Sequence, residues 1–160
     1  MGWVKVDQFN TNTSQPGANI ASLFGEENGV PTLMRFGDAG ALAYDRLQFV
    51  IGIGRSAYKL NSTRALSTGK WYHIAGVYDG QTMKIYVDGV LDASQTQTGS
   101  ITTNTTFQIG QNYNVARTFN GEMDEVSIWK AGLSQATIRN YMCKSINSSH
   151  PNYSALEAYW

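Results

Sequence analysis

Residues 70–91 read KWYHIAGVYDGQTMKIYVDGVL, and the fold turns on how this stretch is taken. Trp71 to Tyr78 is β-branched and aromatic, and Met83, Ile85 and Val87 fall on one face of an extended chain. Asp-Gly occurs at Asp79-Gly80 and again at Asp88-Gly89, the second pair flanked by Val87 and Val90. Gly accepts positive φ without steric cost and Asp tolerates it, so Asp-Gly between apolar runs signals a hairpin. The stretch also crowds aromatic, histidine and aspartate residues together, as binding sites do. Turn chemistry accounts for both aspartates, which makes metal ligation the weaker reading. Residues 70–91 are therefore expected to be scaffolding: turns and the strands they join.

The same punctuation extends in both directions. Trp3 to Phe9 alternates as a strand, and a polar loop follows. Residues 20–25 and 32–37 are short strands bracketed by Gly, Asn and Pro, and residues 38–45 form a turn-rich link. Residues 46–54, RLQFVIGIG, put Leu47, Phe49, Ile51 and Ile53 on one face, and 56–62 form a further strand. Residues 94–105 make a polar edge or loop, 107–110 a strand, 111–120 a polar loop and GEMDEVSIW (121–129) one strand. The only convincing helix is LSQATIRNYM (133–142), with Ser134 as N-cap and Leu133, Thr137, Ile138 and Tyr141 at helical spacing. A Ser-rich linker leads to a strand-like end, ALEAYW. Short strands at these spacings suit an all-β sandwich rather than alternating βαβ units.

Composition narrows the function. A chain of 160 residues suits one domain and buries a sizeable core without a metal or disulfide. Lys+Arg and Asp+Glu stand at 12 each, so there is no basic surplus for nucleic acid or for a polybasic membrane contact. No run of about 18 apolar residues is present to insert into a membrane. Residues 1–6 carry no apolar signal-peptide core, so an export signal is expected upstream. Cys143 is the lone cysteine and reads as a free or half-buried thiol. Asn-x-Ser/Thr occurs at Asn12, Asn61, Asn104, Asn147 and Asn152, which matters only on a glycosylating secretory route.

The order of motifs carries a resemblance. Trp71, His73 and Tyr78-Asp79-Gly80 come first, then Tyr86 to Gly89, then Gly121, Asp124 to Val126, Trp129 and Leu133-Ser134. In order and spacing this resembles the laminin-G-like jellyroll family of the concanavalin-A-like lectin/glucanase superfamily, over most of residues 66–140. The resemblance implies an all-β, two-sheet antiparallel jellyroll-type sandwich with one short helix near the C-terminus. It places the sandwich in residues 1–142, without the family's N-terminal strands, and the linker in 143–154. Residues 155–160 then either complete the sandwich or open a further module, and both readings stand. An unfilled sheet edge invites pairing with another chain, so a tendency to form a homodimer or to aggregate is expected.

Catalysis is not expected. Glucanases of the superfamily carry three carboxylates along one strand. Alternation places Glu122 and Asp124 on one face with Val126 and Ile128, and the third acid is missing because Val126 and Ser127 stand where it belongs. That face points Asp124 at or near the core, where it takes backbone hydrogen bonds or helps hold calcium. Asn112 and Asn114 stand where pentraxin-like relatives carry acids, so Asp124, Asn112 and Asn114 are the calcium candidates, with no cofactor required. His73 reads as a core or rim residue, and His150 stands alone in the linker. The arginines Arg35, Arg46, Arg55, Arg64, Arg117 and Arg139 read as scattered. Tyr113, Asn112 and Asn114, with Tyr86 facing outward, are the ligand-contact candidates. The function expected is a non-catalytic recognition module for glycan or protein, extracellular or at the cell surface. A structural module pairing through a sheet edge is the alternative, and a glycoside hydrolase ranks last.

Overall fold

The computed structural model describes residues 1–27, 31–102, 106–111 and 117–160. Its strands are β1 (Gly2–Val6), β2 (Ala21–Glu26), β3 (Thr32–Asp38), β4 (Leu42–Ile53), β5 (Ser56–Ala65) and β6 (Trp71–Tyr78). They continue with β7 (Thr82–Val87), β8 (Val90–Thr96), β9 (Gln108–Ile109), β10 (Gly121–Asp124), β11 (Ser127–Trp129) and β12 (Leu156–Tyr159). One α-helix is described, α1 (Gln135–Tyr141). The first sheet runs β10-β1-β6-β7-β8 and the second β5-β4-β3-β2-β9, while β11 pairs with β12. All these pairings are antiparallel, as a jellyroll-type sandwich requires.

Alternation builds the core. Val4, Val6, Tyr72, Ile74, Met83, Ile85 and Val87 face Leu23, Met34, Phe36, Leu47, Phe49, Ile51 and Leu60 across the two sheets. Gly76 sets how closely the sheets meet: a Cβ there would lie 2.7 Å from Phe49 and 2.8 Å from the Met34 sulfur. The two Asp-Gly turns form as expected. Asp88 (φ 53) and Gly89 (φ 70) link the directly paired Val87 and Val90. Asp79 Oδ1 instead accepts from the amides of Gln81 (3.0 Å) and Thr82 (2.7 Å).

Helix α1 has seven residues, too few to be stable alone. Ser134 caps it, its hydroxyl accepting from the Thr137 amide at 3.0 Å. Leu133 and Ile138 pack on Ala75, Val77 and Tyr86, the face of the first sheet turned away from the sandwich core. Residues 143–154 are not a free linker: His150 is buried between Trp129 and Tyr141, each ring centroid 4.4 Å away.

Three expectations need correction. Residues 38–45 are not all link, because β4 already begins at Leu42 after a turn closed by the Ala41 amide on Asp38 O (2.7 Å). The first strand stops at Val6 rather than Phe9. GEMDEVSIW is two strands, not one. Glu125 takes φ 53, its amide bonded to Asp124 Oδ1 at 2.9 Å, and the alternation changes phase there. Asp124 is consequently exposed while Val126 enters the core, so Asp124 does not point inward.

Candidate binding face

The second sheet turns one face to the core and the other outward. Met34 and Phe36 on β3, Leu47 and Phe49 on β4, and Leu60 on β5 belong to the core. Arg35, Gln48 and Asn61 stand between or beside them and so point the other way. Register lines these up into one row across four strands: Ser22 opposite Arg35, Arg35 opposite Gln48, Gln48 opposite Asn61.

Hydrogen bonds join the row. Gln48 Oε1 accepts from Arg35 Nε at 2.8 Å and from Nη2 at 2.6 Å. Gln48 Nε2 donates to Asn61 Oδ1 at 2.8 Å. Asp38 Oδ2 receives Arg35 Nη2 at 3.1 Å and Lys59 Nζ at 2.7 Å. Glu27 bonds Arg35 Nη1 and accepts from Ser22 Oγ at 3.3 Å, and Arg117 Nη1 reaches the same carboxylate at 2.6 Å. Arg35 and Arg117, distant in sequence, thus converge on one acid rather than lying scattered.

Burial gives this network its stiffness. Gln48 is 1% exposed, Arg35 5% and Asp38 8%. Burial alone would raise the Asp38 carboxyl, but Lys59, Arg35 and Gln48 outweigh it and hold it below the ordinary carboxylate range. Charges taken out of water persist only where partners satisfy them, and each of these side chains has partners fixing its orientation. The row opens to solvent along β5, where Asn61 is exposed and Lys59 half-exposed. The buried members of the row thus fix the orientation of Asn61 and Lys59, which are the groups that reach solvent at its β5 margin.

The residues singled out from the sequence fall elsewhere. Asn112, Tyr113 and Asn114, like the sequon residue Asn104, lie outside the described residues. Arg117, three positions after Asn114 in the sequence, is the residue reaching Glu27 on the polar face. Tyr86 does face away from the sandwich core, but α1 covers it to 5% exposure, so it is a packing residue and not an exposed ligand contact. Among the described residues no three His, Cys, Asp or Glu side chains group to hold a metal ion. Glu122 and Asp124 share a solvent-facing side of β10, where Glu122 pairs with Lys5. His73 is buried against the edge of Trp3, ring centroids 5.5 Å apart, and burial pushes its pKa down to about 3. The polar row carried a signal in the sequence: on β3 and β4 a single polar residue stands between two core residues, in MRF and LQF, while on β5 Asn61 follows core Leu60 and precedes buried Ser62.

Comparison with known proteins agrees with this architecture. The sequence profile of a laminin-G-type family, described as the concanavalin A-like lectin/glucanases superfamily, matches residues 2–139. A candidate carbohydrate binding protein from Bacteroides ovatus ATCC 8483 superposes with TM-score 0.78 at 25% identity, over 99% of this chain. This chain spans 43% of that protein's chain. A native heptameric SAP-like pentraxin from Limulus polyphemus superposes with TM-score 0.63 at 18% identity, over 94% of this chain and 70% of its own, which bears on the fold alone. No curated protein sequence matches the chain significantly.

Proposed function

This chain belongs to the concanavalin A-like lectin/glucanases superfamily, and from that premise we propose that it is a recognition module binding glycan, outside the cell, on the outward face of its second sheet. The observation carrying this reading is the row Ser22, Arg35, Gln48 and Asn61, locked by hydrogen bonds and opening at Asn61 and Lys59. A preorganised array loses little freedom on binding, which is what a weakly apolar ligand such as a sugar needs. The similarity to a candidate carbohydrate binding protein supports the ligand class. Asn61 and Lys59 are the contacts along the open margin, and Asn112, Tyr113 and Asn114 are proposed as further contacts on the strength of their residue types alone.

A glycan array with the wild-type protein, followed by titration of the best ligand against Asn61→Ala and Lys59→Ala, tests the reading. Loss of at least tenfold in affinity is expected for Asn61→Ala, with a smaller loss for Lys59→Ala. Binding to no glycan would overturn the ligand class, and binding unchanged in both variants would overturn the face. Calcium at Asp124, Asn112 and Asn114 is a separate proposal, and a rise in Tm on adding calcium that chelator reverses is its expected result.

A further inference from the structure

The hydrogen bonds along the outer row of the second sheet have a direction, and it is set at the buried end. Arg35 carries donors only. Its Nε and Nη2 both reach the Gln48 side chain, at 2.8 and 2.6 Å, so the atom they meet must be the carbonyl oxygen Oε1. The Gln48 amide is thereby oriented, with Nε2 turned toward Asn61 and Asp38. That nitrogen donates to Asn61 Oδ1 at 2.8 Å and to Asp38 Oδ2 at 3.4 Å, which uses both of its hydrogens. Asn61 must therefore give its oxygen to Gln48. The end of its amide that remains for solvent is Nδ2, a donor, on an exposed residue.

Lys59 stands two residues before Asn61 on the same side of β5, roughly 7 Å away along the strand. Its ammonium gives one hydrogen to Asp38 Oδ2 at 2.7 Å, and its side chain is 45% exposed. Asp38 does not neutralise it alone, because Arg35 Nη2 shares the same oxygen at 3.1 Å. Among the described residues the ion pairs run Lys59–Asp38–Arg35–Glu27–Arg117, a chain that begins and ends on a cation. Farther along β5, the Asp92 carboxylate accepts from the amides of Thr63 at 2.7 Å and Arg64 at 3.1 Å. Lys59 and Asn61 thus present donors and a positive charge, while the acceptors beside them are occupied.

A sugar hydroxyl can accept from this pair, but it brings a hydrogen for which the pair has no acceptor. A carboxylate only accepts, and it carries the opposite charge. A densely sulfated chain calls for a run of basic side chains, whereas one ammonium suits one carboxylate. Resting on the reading of this face as a glycan site, we infer that its ligand is an acidic sugar, a uronic acid whose carboxylate lies on Lys59 Nζ and whose neighbouring oxygen accepts from Asn61 Nδ2. Arg35 and Gln48 lie beneath as positioning residues: they fix which end of the Asn61 amide faces out.

The test is calorimetric titration with oligosaccharides of galacturonic, glucuronic and mannuronic acid, each against its carboxyl-reduced neutral counterpart. At least one acid member is expected to bind roughly fivefold more tightly than its counterpart, the scale of one exposed ion pair. Lys59→Gln is expected to bring that pair to within about twofold. Asn61→Asp keeps the shape and the bond from Gln48 but turns an anionic oxygen outward, and is expected to weaken the acid member at least tenfold with Tm little changed. Gln48→Glu offers oxygen at both ends and lets Asn61 turn Oδ1 outward. It is expected to lower the preference too, a change in selectivity that lost stability alone would not cause. Neutral members binding as tightly as acid ones would overturn the inference and leave the face a glycan site. A preference that survives both Lys59→Gln and Asn61→Asp would overturn the assignment to this margin. If none of these sugars binds while another glycan on the array does, the acidic class falls alone; binding to no glycan at all takes the glycan reading with it.

Discussion

Arg35 is the residue on which the polar face depends. The residue is 5% exposed, and its guanidinium serves Gln48, Asp38 and Glu27 at once. Removing one member of a buried charged network leaves the others desolvated and under-satisfied, which costs more than the net worth of any single pair. Arg35→Met is therefore expected to destabilise the fold by about 3 kcal/mol, even though Met fills much of the same volume. Lys59 bonds the same Asp38, yet its side chain is 45% exposed, so water replaces much of what is lost. Lys59→Met is expected to cost less than about 1 kcal/mol. Urea denaturation of both variants at neutral pH measures the difference, and equal midpoints would show that the row is not a buried network in solution.

At the scale of elements, α1 decides what the first sheet exposes. The helix is short, so it rests on its cap and on the side chains it buries. Ser134→Ala is expected to lower stability by about 1 kcal/mol and Ile138→Ala by roughly 2–5 kcal/mol, because Ile138 is fully buried and its loss leaves a cavity under the helix. Denaturant midpoints check the ranking, and an Ile138→Ala cost below that of Ser134→Ala would mean the helix is not packed down. The helix also marks where the sequence is legible and where it is not. Its cap and its spacing are local signals, as are the Asp-Gly turns and the Leu47–Phe49–Ile51 face of β4. That Tyr86 lies beneath the helix is a tertiary fact, invisible in the alternation that places it opposite Ile85. The break at Glu125 is hidden for another reason: a non-glycine residue at positive φ leaves no compositional mark, so period two carries straight through it. The polar row lies between these cases. Each member is visible as a polar residue beside core positions, but their juxtaposition needs the register of β2 to β5, which alternation alone does not supply.

At the scale of the whole molecule, buried titratable groups give stability a common dependence on pH. His73 is 2% exposed, its Nδ1 has no hydrogen-bond partner among the described residues, and burial followed by the nearby amino terminus brings its pKa from 6.5 to about 3. The Met1 amino group, bonded to Ser127 O, is lowered by burial from 8.0 to about 5. For both, the folded state disfavours the cation. The unfolded chain therefore takes up the proton first, and stability falls as pH drops from 8 to 5 through the amino group and from 6.5 to 3 through His73. Asp38 acts in the same direction at the acid end: its lowered pKa contributes stability above the ordinary carboxylate range, lost as pH falls through the folded value. These groups act in one direction, while Glu125, its carboxyl raised by burial and by Asp124, opposes them in the carboxylate range, so steady acid destabilisation is expected from pH 8 down to 5. The His73 share alone amounts to about 2 kcal/mol between pH 6.5 and 5, at roughly 1.4 kcal/mol per pH unit. His73→Phe keeps an aromatic ring against Trp3 and removes the titration. Urea midpoints for wild type and His73→Phe across pH 8 to 4 separate the contributions: the variant is expected to show a shallower slope below pH 6.5, keeping the portion between pH 8 and 5 due to the amino terminus. A wild-type profile flat from pH 8 to 5, or one whose slope His73→Phe leaves untouched, would show that His73 is open to water and that the helix-covered face of the first sheet is not closed in solution.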